Sequence, residues 1–140
     1  MYRIGLNYSK NIQDAEDIVQ NTLMKLYISE TEFSDEEHLK SWLIRVCINE
    51  SKNLVKSGWR KKTCSITELE NTLFNENQEY RELYDCVLKL PEKYSIVIYL
   101  HYYEGYKTEE IATITDTKPS TVRTRLERAR NLLKQMYKEE

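Results

Sequence analysis

Turn-forming residues are nearly missing from this chain: of 140 residues only three are glycine and two are proline. Those two types together normally make up about an eighth of a sequence. Little is left to build the turns of a β-rich fold, and apolar side chains recurring at three and four residues predict an all-α chain with short connections. Cysteine is sparse as well. Cys47, Cys64 and Cys86 are odd in number, widely spaced and without a C-x-x-C pair, and His38 and His101 are the two histidines. That pattern argues against a disulfide framework or a zinc site and for ordinary thiols in a reducing compartment. No apolar run approaches the roughly 20 residues of a membrane-spanning helix, so no membrane insertion is expected. The opening Met1-Tyr2-Arg3-Ile4-Gly5-Leu6-Asn7 carries neither the apolar core nor the cleavage site of a signal peptide, which predicts a cytoplasmic protein. There is no G-x-S-x-G elbow, Gly-rich phosphate loop or H-E-x-x-H. Neither an enzyme nor a cofactor is expected.

What is present is charge, sorted into blocks. Hydrophobic residues at 40% exclude general disorder, and the length suits one ordinary domain or two small ones. Net charge is only -2, yet Asn11 to Glu37 holds eight acids (Asp14, Glu16, Asp17, Glu30, Glu32, Asp35, Glu36, Glu37) against Lys25 alone. From Lys40 to Lys62 seven bases face only Glu50. Glu68 to Asp85 is acidic again, and Lys118 to Lys138 carries seven bases against Glu127. Solvated helix faces usually mix signs, so two segregated basic segments favour contact with a polyanion.

In the first acidic block, Asp14 is expected to cap a helix whose apolar side is Ala15, Ile18, Val19, Thr22, Leu23 and Leu26. Its polar side presents Glu16, Asp17, Gln20, Asn21 and Lys25, a surface for a partner or simply a solvated face. A second helix is predicted from about Glu37 to Lys56, with Leu39, Trp42, Leu43, Val46, Cys47, Leu54 and Val55 as its core side. Beyond Gly58, Trp59 stands beside Arg60, Lys61 and Lys62. An aromatic plate among cations suits single-stranded nucleic acid, and a half-buried tryptophan in a helix-end cluster fits equally. The polar stretch that follows is the best linker candidate. The expected organisation is therefore two small helical domains, 1–62 and 78–140, joined by a linker over 63–77.

After Pro91 the pattern sharpens. Glu92 to Tyr103 reads as one helix, Gly105 breaks it, and Thr108 is placed to cap a short helix through Ile111, Ala112 and Ile114. A tight turn at Asp116 and Thr117 leads to Lys118 and Pro119, where proline suits a first helical position. The next helix has an apolar stripe of Val122, Leu126, Ala129, Leu133 and Met136 at the period of 3.6. Ser120, Thr121, Thr124, Glu127, Arg128 and Asn131 lie off that stripe, with Arg123 and Arg125 on its flanks. Short hydroxyl residues at the start of a basic helix can approach base edges while arginine reaches phosphate or guanine, so a DNA-reading helix-turn-helix is expected. A helix-turn-helix used only for protein contact is the alternative.

Three segments together carry a family resemblance. They are Asp14-Ala15-Glu16-Asp17-Ile18-Val19-Gln20, then Trp42-Leu43-Ile44-Arg45-Val46 with Asn49 and Asn53, then Leu90-Pro91-Glu92-Lys93-Tyr94 through Thr108-Glu109-Glu110-Ile111-Ala112 to Arg128-Ala129-Arg130. In this order and spacing they resemble the sigma-70 superfamily, specifically its small extracytoplasmic-function members. The resemblance implies that Asp14, Glu16, Asp17, Gln20 and Asn21 bind core RNA polymerase. It implies that Asn49, Lys52, Asn53, Lys56, Trp59, Arg60, Lys61 and Lys62 hold the melted minus-10 element of promoter DNA. Lys118, Ser120, Thr121, Arg123, Thr124, Arg125 and Arg128 would read the minus-35 element, and an anti-sigma factor would mask these surfaces. Asn53 stands where the family often has Asp, Asp116 where the turn often has Gly, and Lys118 where a Ser cap is common. The match opens one helix into the family pattern, at Tyr2 to Tyr8, so the first domain is expected to lack apolar partners for Leu6, Ile18 and Leu26. Two rival readings share the helix-turn-helix: a stand-alone transcriptional regulator, and a truncated sigma-like interaction module.

Overall fold

The computed structural model describes residues 1–56 and 78–138. Among them every regular element is helical, and the chain divides into two compact units, Met1–Thr63 and Cys64–Glu140. The expected linker over 63–77, Cys64, and the cluster of Trp59, Arg60, Lys61 and Lys62 lie outside the described residues.

The first unit packs α1 (Tyr2–Ser9), α2 (Ile12–Ile28) and α3 (Glu36–Lys56) against one another. Ile4, Leu6 and Asn7 of α1 are fully buried. Gly5 permits this, because a Cβ there would sit 3.2 Å from the Ala15 Cα, where α1 meets α2. At the end of α1, Lys10 takes a left-handed conformation, φ 55°, and its amide donates to the Leu6 carbonyl. The chain then re-enters a helix at Asn11, whose side-chain oxygen accepts from the Asp14 amide at 3.0 Å. Asn11, not Asp14, is thus the cap: the asparagine holds the extended backbone a cap requires, and Asp14 lies one turn inside, only 3% exposed.

Three further expectations are corrected here. Leu6 and Ile18 do not want for partners, both being fully buried, while Leu26 is half-buried. Among the described residues of this unit, the large apolar side chains left outside are Leu23, Met24, Tyr27 and Ile28, so Leu23 is not core. On α3 the buried stripe is Ile44, Cys47, Ile48 and Ser51, whereas Leu39, Trp42, Leu43, Val46, Leu54 and Val55 are only half-buried. This stripe faces inward because α1 and α2 both pack on it, and the buried Ser51 hydroxyl donates to the Cys47 carbonyl at 2.8 Å. Burial also pushes the Cys47 thiol above its ordinary range. Lys25 of α2 and Glu50 of α3 form an ion pair across the pair of helices.

The second unit comprises α4 (Gln78–Lys89), α5 (Glu92–Ile98), α6 (Thr108–Thr115) and α7 (Pro119–Lys138). The helix expected from Glu92 to Tyr103 is α5 plus a π-helical turn at Tyr99–Tyr103, where the Glu104 amide reaches back to the Tyr99 carbonyl at 3.2 Å. The wide turn accommodates aromatic packing. Tyr99 stacks on Tyr103 at 5.7 Å, Tyr103 meets the edge of Tyr84 at 5.5 Å, and the Tyr99 hydroxyl donates to Glu104 at 2.7 Å. Gly105, at φ 77°, then reverses the chain as expected of a residue without a Cβ.

Thr108 turns out to be the first helical residue of α6 and not its cap. The cap position is Lys107, whose amide donates to the Glu110 carboxylate at 3.0 Å. At the other end Asp116 is left-handed, φ 55°, and the Thr117 amide closes on the Ala112 carbonyl at 2.9 Å, a Schellman ending made without glycine. Pro119 opens α7 as predicted, and Val122, Leu126 and Ala129 are buried. Leu133 and Met136 continue the stripe half-buried, where fewer elements cover the helix.

Candidate nucleic-acid interface

The turn at Asp116 sets α7 against α5 and α6, and the buried Val122, Leu126 and Ala129 fix which way it faces. Lys118, Ser120, Arg123, Thr124 and Arg128 are exposed as a consequence, while Thr121 and Arg125 are half-buried at the edge of the core. Thr124 donates its hydroxyl hydrogen to the Ser120 carbonyl at 3.0 Å, so its oxygen is presented outward only as an acceptor.

These residues do not form one face. Arg123 lines a cleft of about 430 Å³ with His101, Thr108, Glu127 and Arg130. Ser120, Thr121, Thr124, Arg125 and Arg128 line another, of about 350 Å³, closed on its far side by Lys93 and Tyr94 of α5. Each cleft has an arginine close to a tyrosine. Arg130 Nε donates to the Tyr102 hydroxyl at 2.6 Å and its guanidinium lies 5.6 Å from that ring. Arg128 beside the Tyr94 hydroxyl holds it below the usual tyrosine range, with Lys93 adding to the effect. Lys93 Nζ stands 5.0 Å from the Tyr94 ring centroid. His101 Nδ1 lies 2.9 Å from the Tyr106 carbonyl, which only accepts, so that nitrogen carries the hydrogen.

In the first unit, Arg45, Asn49, Lys52, Asn53 and Lys56 recur at helical spacing along one flank of α3. Arg45, Asn49, Asn53 and Lys56 are exposed and Lys52 is half-buried. Trp42, two turns before Asn49, is held edge-on against Phe33 at 5.6 Å, and Phe33 in turn against His38 at 5.3 Å. On α2, Glu16, Asp17, Gln20 and Asn21 are all exposed, but Asp14 is buried and belongs to the packing of the unit.

Two groups of residues escaped the reading of the sequence. Leu23, Met24, Tyr27 and Ile28 extend the acidic face of α2, since Glu16, Gln20, Leu23 and Tyr27 form one ridge and Asp17, Asn21, Met24 and Ile28 the next. Continuing the polar positions by fours and threes past Asn21 would have found them. Lys93 and Tyr94 had no such signal, because what places them beside Arg128 is the packing of α5 on α7.

Comparison with known proteins gives the same division of the chain. Residues 1–61 match the family model described as Sigma-70 region 2, and residues 80–133 match Sigma-70, region 4. The RNA polymerase sigma factor SigV of Bacillus subtilis is 31% identical over 142 residues, spanning 99% of this chain and 86% of that protein. The ECF RNA polymerase sigma-E factor of Haemophilus influenzae is 33% identical, over 86% of this chain and 72% of that protein. Among solved structures, the sigma factor RpoE in complex with the anti-sigma factor NepR, from Bartonella quintana, superposes with a TM-score of 0.75. That superposition covers 98% of this chain and 89% of the other at 22% identity, a likeness of fold.

Proposed function

This chain belongs to the sigma-70 family, among its extracytoplasmic-function members, and from that premise we propose that it directs core RNA polymerase to its promoters and starts transcription there. It is a transcription initiation factor and works by binding, with no bond made or broken by its own side chains. The observation that carries the reading is the outer side of α7, where Ser120, Arg123, Thr124 and Arg128 stand exposed opposite a buried Val122, Leu126 and Ala129. Such a helix offers hydroxyls and guanidinium groups to a major groove.

The division of labour follows the two domains, 1–62 and 78–140, with the linker between. The second reads the minus-35 duplex. The first docks on core polymerase through Glu16, Asp17, Gln20 and Asn21 with the apolar ridge beside them, and holds the displaced minus-10 strand along Asn49, Lys52, Asn53 and Lys56. Trp59, Arg60, Lys61 and Lys62 follow directly in sequence and are assigned the same strand. The protein would work in the cytoplasm, where polymerase is, and no described helix is long and apolar enough to cross a membrane. An anti-sigma factor, as seen with the Bartonella relative, would cover the same surfaces.

In vitro transcription tests the proposal. The chain added to core polymerase should produce promoter-specific transcripts that neither produces alone. Asp17→Arg with Gln20→Ala should weaken binding to core polymerase in a pull-down titration while leaving duplex binding intact. Equal affinity for core would sink the assignment of α2, and specific DNA binding with no promoter-specific transcript from core polymerase would favour a stand-alone regulator.

A further inference from the structure

Lys93 and Tyr94 sit outside the recognition helix, yet they complete one of its two clefts. Three cations line this space, Lys93, Arg125 and Arg128, and among the described residues no carboxylate lines it. Cations gathered without an acid repel one another and are relieved by an anion. The neighbouring cleft, by contrast, already contains Glu127. Tyr94 lies among these cations: Lys93 stands over its ring, and Arg128 lines the same cleft. Beside them Ser120 and Thr121, in the first turn of α7, supply hydroxyl groups close to the positive end of that helix.

We propose that this cleft is a phosphodiester subsite, in which Lys93 and Arg128 grip one backbone phosphate of the duplex and Tyr94 is a positioning residue for Arg128. The proposal rests on the DNA-reading function given to α7 and adds to it a grip from outside the helix-turn-helix. Arg128 is then oriented before DNA arrives by the tyrosine that lines the cleft with it, and less conformational freedom is lost on binding. Arg123, on the other cleft, has no part in this grip and is left to read bases.

The test uses the full chain with core polymerase and a duplex that the complex itself selects from a randomised pool. A single neutral methylphosphonate is then walked along each strand. In the wild type one position facing this cleft should weaken binding, and in Lys93→Gln that same position should become silent. Lys93→Gln should also lower the magnitude of the salt slope of log affinity by about 0.9, the loss of one phosphate contact, and Lys93→Arg should restore it. Tyr94→Phe keeps the ring under Lys93 and removes the hydroxyl. It should weaken binding in the wild-type background and have no effect once Arg128→Ala is present. If Lys93→Gln leaves both salt slope and methylphosphonate profile unchanged on a duplex the wild type binds, the subsite is wrong and the DNA-reading function stands. A flat profile that free inorganic phosphate alone competes against would mean an anion pocket unconnected with DNA, and would equally overturn the proposal. Failure of the wild type to select any duplex would remove both.

Discussion

Helices α2 and α7 are built alike on the inside and unlike on the outside. Each buries a stripe of small and branched apolar residues, Ala15 and Ile18 in one, Val122, Leu126 and Ala129 in the other. The outer side of α2 runs from acids and amides to bare apolar groups, with Tyr27 86% and Ile28 70% exposed. The outer side of α7 runs from hydroxyls to arginines. Similar packing therefore leaves opposite surfaces. A ridge of acid and hydrocarbon is complementary to another protein, which can cover apolar area as well as pair charge, whereas hydroxyls and guanidinium groups suit a polyanion. The difference between the two units lies in what each helix was free to expose once its core face was fixed.

The sharpest way to break this comparison is through the shared interior. Ile18→Ala in α2 and Leu126→Ala in α7 should each cost about 2–5 kcal/mol, read as a lower urea midpoint for the transition of the unit concerned. If one were nearly free, the two inner stripes would not be equivalent. A smaller effect separates the outer faces. Arg123→Ala should cost about 1–3 kcal/mol on the preferred minus-35 duplex and relax discrimination at one position, measured by fluorescence anisotropy on matched and scrambled duplexes. An equal loss on all sequences would make it a phosphate contact instead. The smallest expected change in stability is that of Tyr27→Ser, within about 0.5 kcal/mol because the ring covers nothing. The same variant should bind core polymerase more weakly, and unaltered core binding would leave the apolar ridge without the role given to it.

The face of α7 was legible in the sequence because the helix is apolar on one side only and polar on the rest, so period alone settles its orientation. On α3 it was not. That helix carries apolar residues on two adjacent stripes, so its period alone does not choose between Leu39, Trp42, Leu43 and Val46 and the Ile44, Cys47, Ile48 and Ser51 that are buried. The choice between them belongs to α1 and α2, which pack on the second stripe. Asp14 misled for a related reason: a carboxylate near a helix start suits a cap, but Asn11 stands three residues earlier and takes the cap. In the candidate interface, the residues on α7 could be read from their own helix, while the separation of Arg123 from Arg128 into two clefts depends on what each lies beside in the preceding segments, His101 and Thr108 or Lys93 and Tyr94.

The wide turn at Tyr99–Tyr103 has a bearing on how this protein can vary. In a regular helix each added residue rotates everything beyond it by about 100°. The π-helical turn absorbs one residue's worth of phase, and the placing of Tyr102 against Arg130 depends on that setting. Single-residue insertions and deletions, which loops tolerate, would here turn Tyr102 out of reach and swing Gly105 away from the chain reversal that admits α6. Variation in length should therefore be excluded from these five residues even where their identities drift, making the turn a fixed point of register in a lineage of otherwise divergent sequences.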